Sequence, residues 1–222
     1  MLFQDRQDAG RKLAGIVAQL PDLADAVVLA LPRGGVPVAS EVARACHLPL
    51  DILTVRKLGA PGQPELALGA VASGGIVVLN PQFVSAFHLS EDELGAMIAA
   101  ETEAIERREQ LYRQGLPRLP IAGRTVILVD DGMATGASMR AAARAVRPRA
   151  ARLILAVPVA AAATCRDLES EADTLLCLFS PPDFEAVGQF YRDFSPTSDE
   201  EVRARLASAR TCRSHPPAAW AS

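Results

Sequence analysis

The chain has 222 residues, half of them apolar and 22% charged, which is enough hydrophobic material for one substantial globular core. Its 23 Lys and Arg against 26 Asp and Glu leave a formal charge of −3, so no basic field exists to attract nucleic acid, and general DNA or RNA binding is disfavoured. The longest near-continuous apolar stretch, Leu153 to Ala163, is interrupted by Pro158 and falls short of the roughly 20 residues a membrane helix needs. No membrane association is expected. The opening residues MLFQDRQDAGRK carry charge where a signal peptide would be apolar, and a cytoplasmic protein is expected. Cys46, Cys165, Cys177 and Cys212 are scattered, and His47, His88 and His215 form no helix-spaced pair. Reduced thiols and no protein-built transition-metal site are expected.

Short aliphatic runs then alternate with amphipathic stretches, without internal repeats, as βαβ units around a mostly parallel sheet do. Leu13, Ile16, Val17 and Leu20 are spaced for a helix over 5–20, and Ala26–Leu31 reads as a strand. PRGGVPVASEVARAC opens with glycines and continues as a helix to about His47, with Pro37 tolerated in the first turn. Leu50–Val55 reads as a second strand. The segment 56–65, RKLGAPGQPE, holds two prolines and two glycines and is predicted to be a long mobile loop. Leu66–Ala72 and Ile76–Leu79 flank Ser73-Gly74-Gly75 as a hairpin.

Ser90 to Glu93 form a capping box for the longest helix. Leu94, Met97, Ile98, Ile105 and Tyr112 share one face of it until Gly115 and Pro117 stop it. Its charged residues Glu101, Glu103, Glu106, Arg107, Arg108, Glu109 and Arg113 read as the solvated face, with pairs such as Glu103 and Arg107. Val126–Val129 is a strand running into two acids, and Met139, Ala142, Ala143 and Val146 mark a helix that Pro148 ends. Leu153–Val159 and Thr174–Leu178 supply further strands. After Pro181-Pro182, Phe184, Phe190, Tyr191 and Phe194 crowd together as a separate unit or lid. Residues 199–209 read as a helix, and the tail 209–222 as frayed.

The segment Thr125 to Ser138, TVILVDDGMATGAS, carries the sharpest chemical signal. It is a buried strand, two adjacent carboxylates, and a loop of small residues opening a helix. Free N–H groups at a helix N-terminus, unobstructed at Ala134, Gly136 and Ala137, cradle a phosphate, and the hydroxyls of Thr135 and Ser138 add donors. Asp130 and Asp131 would repel that phosphate, so they are expected to face a neutral donor such as a sugar hydroxyl, or a cation. Upstream, Arg33-Gly34-Gly35 lets the backbone approach an anion, with Arg33 adding charge. Arg56-Lys57 follows the second strand. Alone, Arg33-Gly34-Gly35 reads equally well as a tight strand-to-helix turn, and Arg56-Lys57 reads more often as a solvated pair at a loop entrance.

Together the three segments closely resemble the type I phosphoribosyltransferases, which bind 5-phosphoribosyl 1-pyrophosphate (PRPP). The likeness runs over most of residues 1–208 and points to an uncharacterised bacterial branch carrying LPRGGVPVA, VRKLGAPG and DDGMATGAS. It implies an α/β domain, a mostly parallel doubly wound sheet with a small hood, set around 181–198 with an N-terminal contribution allowed. It implies that Asp130 and Asp131 bind the ribose hydroxyls, that Ala134, Thr135, Gly136, Ala137 and Ser138 take the 5-phosphate, and that Arg33, Gly34 and Gly35 take pyrophosphate. A non-proline cis peptide between Pro32 and Arg33 is part of the same pattern. Arg56 and Lys57 would be catalytic, clamping the leaving group from a loop that closes over bound donor. Mg²⁺ would be held through PRPP and water near Asp130 and Asp131.

The implied reaction is phosphoribosyl transfer to a nitrogenous base; a non-catalytic PRPP- or nucleotide-binding regulatory protein is the alternative. One departure is Gly132, where the family usually has an aliphatic residue, which is expected to loosen the turn. Another is Ala134, where 6-oxopurine enzymes carry an acid. Phe184, Phe190 and Tyr191 are candidates for stacking on the acceptor, although core is the commoner fate of clustered aromatics. Family members are often homodimers.

Overall fold

Strands whose residues are apolar on both faces need a layer on each side. Val27–Ala30 and Val126–Val129 are buried along their whole length, and the fold is arranged around them. The structure, a computed structural model, describes residues 2–211. In order the elements are α1 (Arg6–Val17), β1 (Val27–Ala30), α2 (Gly35–Ala45), β2 (Leu50–Ile52), β3 (Val55–Ala60), β4 (Gln63–Ala72), β5 (Ile76–Leu79), α3 (Pro81–Ala86), α4 (Glu91–Arg113), β6 (Thr125–Val129), α5 (Ala137–Val146), β7 (Arg152–Val159), α6 (Ala162–Leu168), β8 (Thr174–Phe179) and α7 (Asp199–Thr211). Part of the expected tail, residues 212–222 with Cys212 and His215, lies outside the described residues.

A five-stranded sheet runs β2-β1-β6-β7-β8, every neighbouring pair parallel. Alternation divides its side chains. Val28, Ala30, Ile127, Val129 and Ile154 face α1 and α2, packing on Leu13, Val38 and Val42. Val27, Leu29, Val126, Leu128 and Leu155 face the other way, onto Met139, Ala142 and Val146 of α5. The sheet is thus covered on both faces, as doubly wound folds are.

The expected mobile loop at 56–65 is instead regular structure. β3, β4 and β5 form an antiparallel sheet of three strands. The glycines and prolines fit because the pairing is irregular, with register shifts around Gly59 and a turn at Pro61-Gly62, where Gly62 has φ +71°. Breakers at a bulge and a turn leave a hairpin intact. Leu58, Ala60 and Leu68 bury one face of it against Leu94, Met97 and Ile98 of α4. The hairpin predicted around Ser73-Gly74-Gly75 forms from β4 and β5, and the Ser90 capping box is present with both of its hydrogen bonds.

The charged face of α4 is not uniformly wet. Glu103 pairs with Arg107 as its spacing predicts, but Glu109 and Arg113 are buried. They turn inward because partners await them. Arg113 bridges Asp51 on β2 and Glu109 and donates to the Ile52 carbonyl at 3.0 Å. Glu109 also takes Ser73 Oγ and two bonds from Arg118, at 2.8 and 2.5 Å. This network ties α4 to the sheet edge and to the β4–β5 turn. Removing one partner of a buried pair strands the other's charge. Arg113→Met is expected to lower unfolding free energy by about 3–5 kcal/mol in a denaturant titration; a loss below about 1 kcal/mol would show the network to be energetically idle.

Candidate active site

From β1 the chain crosses through α2 to β2 on one side, while β6 lies on the other side of β1. The segments leaving β1 and β6 therefore diverge at their carboxyl ends and open a crevice, the usual ligand position in such sheets. Both signal-bearing segments start there. Leu31 N donates to the Val129 carbonyl at 2.9 Å, carrying β1 one step past β6 before the chain turns at Pro32. The Pro32–Arg33 peptide is cis. Gly34 lies so close to Asp131 that a side chain there would collide with the carboxylate. The glycine loop and the acid pair thus form two sides of one site.

The segment after the acids is pinned from below. Met133 N donates to the Val159 carbonyl at 2.9 Å and Ala161 N to the Met133 carbonyl at 3.1 Å. Thr164 Oγ1 of α6 donates to the Ala134 carbonyl. Gly136 has φ +68°, with Thr164 and Leu168 filling the space where a side chain would stand. The loop then enters α5. Among the described residues none accepts from the main-chain N–H of Ala134, Thr135, Gly136 or Ser138, and Ala137 N reaches only Thr135 Oγ1, at 3.5 Å. Ala134, Thr135, Ala137 and Ser138 are exposed. Unpaired donors at a helix start form a ready anion site.

The acids themselves are held tightly. Asp131 N donates to Asp130 Oδ1 at 2.9 Å, and Tyr191 donates its hydroxyl to the Asp131 carbonyl at 2.5 Å. Burial, and then the adjacent Asp131 carboxylate, push Asp130 well above the usual carboxylate range. Burial also raises Asp131, against the lowering effect of Arg6. Burial pushes the Tyr191 phenol up, aided by Asp131.

Arg6 is a site residue with no local sequence signal. It sits in the first turn of α1, and its Nε donates to Asp131 Oδ2 at 2.7 Å. A second nitrogen donates to the Ser195 carbonyl at 2.7 Å, and the guanidinium lies 3.9 Å over the Phe194 ring, a cation–π geometry. One side chain thus links the N-terminal helix, the acid pair and the aromatic segment, across 125 positions of sequence.

The other predicted residues lie as follows. Arg33 is half-exposed, its guanidinium 3.7 Å from Asp199 of α7. Arg56 and Lys57 are exposed on β3, and Arg56 pairs with Glu101 of α4, outside the crevice. Phe190 and Tyr191 are buried with Phe3 and Val159, while Phe184 is half-buried and stacks on Phe190 at 5.4 Å. The aromatic segment is therefore largely core, and the N-terminus joins it: Phe3 N donates to the Phe190 carbonyl at 2.8 Å and Arg192 N to Phe3 at 2.9 Å. Gly132 does not loosen the turn. A methyl placed on it would lie 2.5 Å from Val187 Cγ1 and 3.0 Å from the Val159 carbonyl, so Val187 fills the space an aliphatic side chain would take.

A carboxyl whose native pKa is raised favours the fold fully below its unfolded pKa, and that contribution is lost as pH rises through the native value. Burial therefore disfavours the charged form of Asp130 in the fold. Asp130→Asn is expected to raise Tm by a few degrees at pH 7, with the gain shrinking as pH falls through the raised range, whereas Arg6→Met lowers Tm. Thermal scans across pH check both signs; an Asp130→Asn protein less stable than the parent at every pH would contradict the account.

Residues 3–195 match the family model described as the phosphoribosyl transferase domain. A Mycobacterium tuberculosis (strain H37Rv) protein named "Putative phosphoribosyl transferase Rv0571c" is 47% identical over 209 residues, which cover 94% of this chain. The chain spans 47% of the length of that relative. The crystal structure of TT1426 from Thermus thermophilus superposes with a TM-score of 0.85 at 44% identity, covering 94% of this chain and 99% of that one. With its parallel sheet, acid pair and amide loop in this order, the chain belongs to the phosphoribosyl transferase domain family.

Proposed function

We propose that this protein transfers the 5-phosphoribosyl group of PRPP to a nitrogenous acceptor and releases pyrophosphate. The observation that carries this reading is the set of main-chain amides of Ala134, Thr135, Gly136 and Ser138 without an acceptor among the described residues, directly after two carboxylates that face the Gly34 loop. The spacing suits a phosphorylated pentose: amides and the hydroxyls of Thr135 and Ser138 for its 5-phosphate, Asp130 and Asp131 for its ring hydroxyls, and Arg33, Gly34 and Gly35 for the diphosphate on C1.

In the reaction the bond from ribose C1 to pyrophosphate breaks, its electron pair leaving on oxygen. The acceptor nitrogen's lone pair forms the new bond to C1, and that nitrogen releases a proton to solvent. Positive charge grows on the sugar meanwhile, as in glycosyl transfers generally. Asp130 and Asp131 hold the ring by its hydroxyls and place negative charge beside it. Main-chain amides fix the phosphate end, so C1 is presented to the acceptor in one orientation. No covalent enzyme intermediate is required.

Two adjacent carboxylates, both raised by burial and Asp130 also by the charge of Asp131, suit a divalent cation. Asp130 and Asp131 would hold Mg²⁺ through water and substrate oxygens, and the ion supplies charge neutralisation of the departing diphosphate. Arg56 and Lys57 complete that role if β3 and β4 swing toward the crevice, which requires Arg56 to give up Glu101.

The Arg56–Glu101 pair also favours a second reading, a regulatory protein that binds PRPP without turnover. A pyrophosphate-release assay with PRPP, Mg²⁺ and a panel of bases, run beside PRPP titration calorimetry, separates the two. Transfer predicts release with at least one base, and a double variant Arg56→Ala/Lys57→Ala with kcat lowered about 10²-fold while PRPP affinity changes little. Tight PRPP binding without release for any base would select the regulatory reading. No PRPP binding would overturn both.

A further inference from the structure

A second cleft, of about 530 Å³, opens at the end of β4 remote from the Pro61-Gly62 turn, between the Ser73–Gly75 turn, the 118–122 connection and Arg149. It shares no residue with the acid pair, the amide loop or the glycine loop. Leu29, Leu53, Ile76, Leu119 and Ile121 line it with apolar surface, and its volume is in the range of small-molecule sites.

Its polar groups are mostly cationic. Arg118 spends Nε and one terminal nitrogen on Glu109, and its other terminal nitrogen, Nη1, has no acceptor among the described residues. Arg149 is exposed, with no acceptor or carboxylate partner for its side chain among the described residues. These two free ends converge. Measured from the point where a Cβ on Gly74 would stand, Arg118 Nη1 is 3.9 Å away and Arg149 Nη1 is 4.0 Å away. Gly74, at φ +82°, leaves that point open where other residues would fill it. Counting Arg113, Arg118 and Arg149 against Asp51 and Glu109, which are already paired, one positive charge is left over.

From this placement we infer that the cleft is a binding site for a small organic anion, with a single carboxylate, sulfonate or phosphoester head between Arg118 and Arg149 and an apolar body on the Leu29–Ile121 floor. Paired guanidinium groups suit such oxyanions because their N–H donors can be shared across two oxygens. The site is independent of the PRPP reading.

The probe for the test is 1-anilinonaphthalene-8-sulfonate, which joins an apolar body to a single anionic head, with N-phenyl-1-naphthylamine as its uncharged counterpart. In fluorescence titration of the full chain, saturable binding of one sulfonate probe per chain is expected. The uncharged compound should bind at least about tenfold more weakly, and Arg149→Glu should weaken the sulfonate about tenfold or more, as loss of a charge-assisted hydrogen bond does. Ile121→Trp, which fills the floor and leaves the charges alone, should abolish binding, with near-ultraviolet circular dichroism confirming that both variants fold. PRPP should not displace the probe. Unsaturable binding, equal affinity for both compounds, an unchanged affinity in Arg149→Glu, or displacement by PRPP would each overturn the proposal.

Discussion

The carboxylates of Asp130 and Asp131, forced side by side at the carboxyl end of a buried strand, are the constraint around which the crevice is organised. Two like charges withdrawn from water are unfavourable. Arg6 supplies the opposite charge to Asp131, and the pair's own Asp131 amide binds Asp130, while Tyr191 anchors the Asp131 main-chain carbonyl. Arg6 and Tyr191 come from distant parts of the chain, so the acid pair also serves as the joint between α1, the sheet and the aromatic segment. Placing sugar hydroxyls or a cation against the pair relieves the same repulsion, which couples the stability of the site to its occupation.

The strands and helices of the main sheet are legible in the sequence because periodicity reports burial directly. Val27–Ala30 and Val126–Val129 are apolar at every position and lie inside on both faces, and the capping box at Ser90 encodes its own geometry. Composition misleads at 56–65 because it says where breakers are, not whether they fall at bulges; Gly59 and Gly62 sit at a register shift and a turn. Charge patterning misleads at Glu109 and Arg113 because their partners, Asp51, Ser73 and Arg118, come from distant or non-helical parts of the chain, and the pattern on one helix carries no record of them.

The same distinction divides the site. The acid pair and the amide loop are contiguous, so their placement together is legible in Thr125 to Ser138 alone, and Gly34 belongs with them through a steric demand visible in space. Arg6 has no such signal. Gly132 shows the reverse, a local departure from the family pattern explained by a distant side chain, Val187, packed into the vacated volume. The aromatic residues divide in kind: Phe190 and Tyr191 serve the core and the acid pair, while Phe184 keeps a partly exposed ring.

The most direct measurement is a ¹⁵N-edited NMR titration of the labelled protein with ribose 5-phosphate. Hydrogen bonding to a dianion moves an amide proton strongly downfield, so the resonances of Thr135, Gly136 and Ser138 are expected to shift together and saturably, with that of Asp131 following and that of Arg149 unmoved. Amides at 135–138 that stay in place while ligand is added to saturation elsewhere, or that never respond, would contradict the assignment of this loop as the phosphate seat.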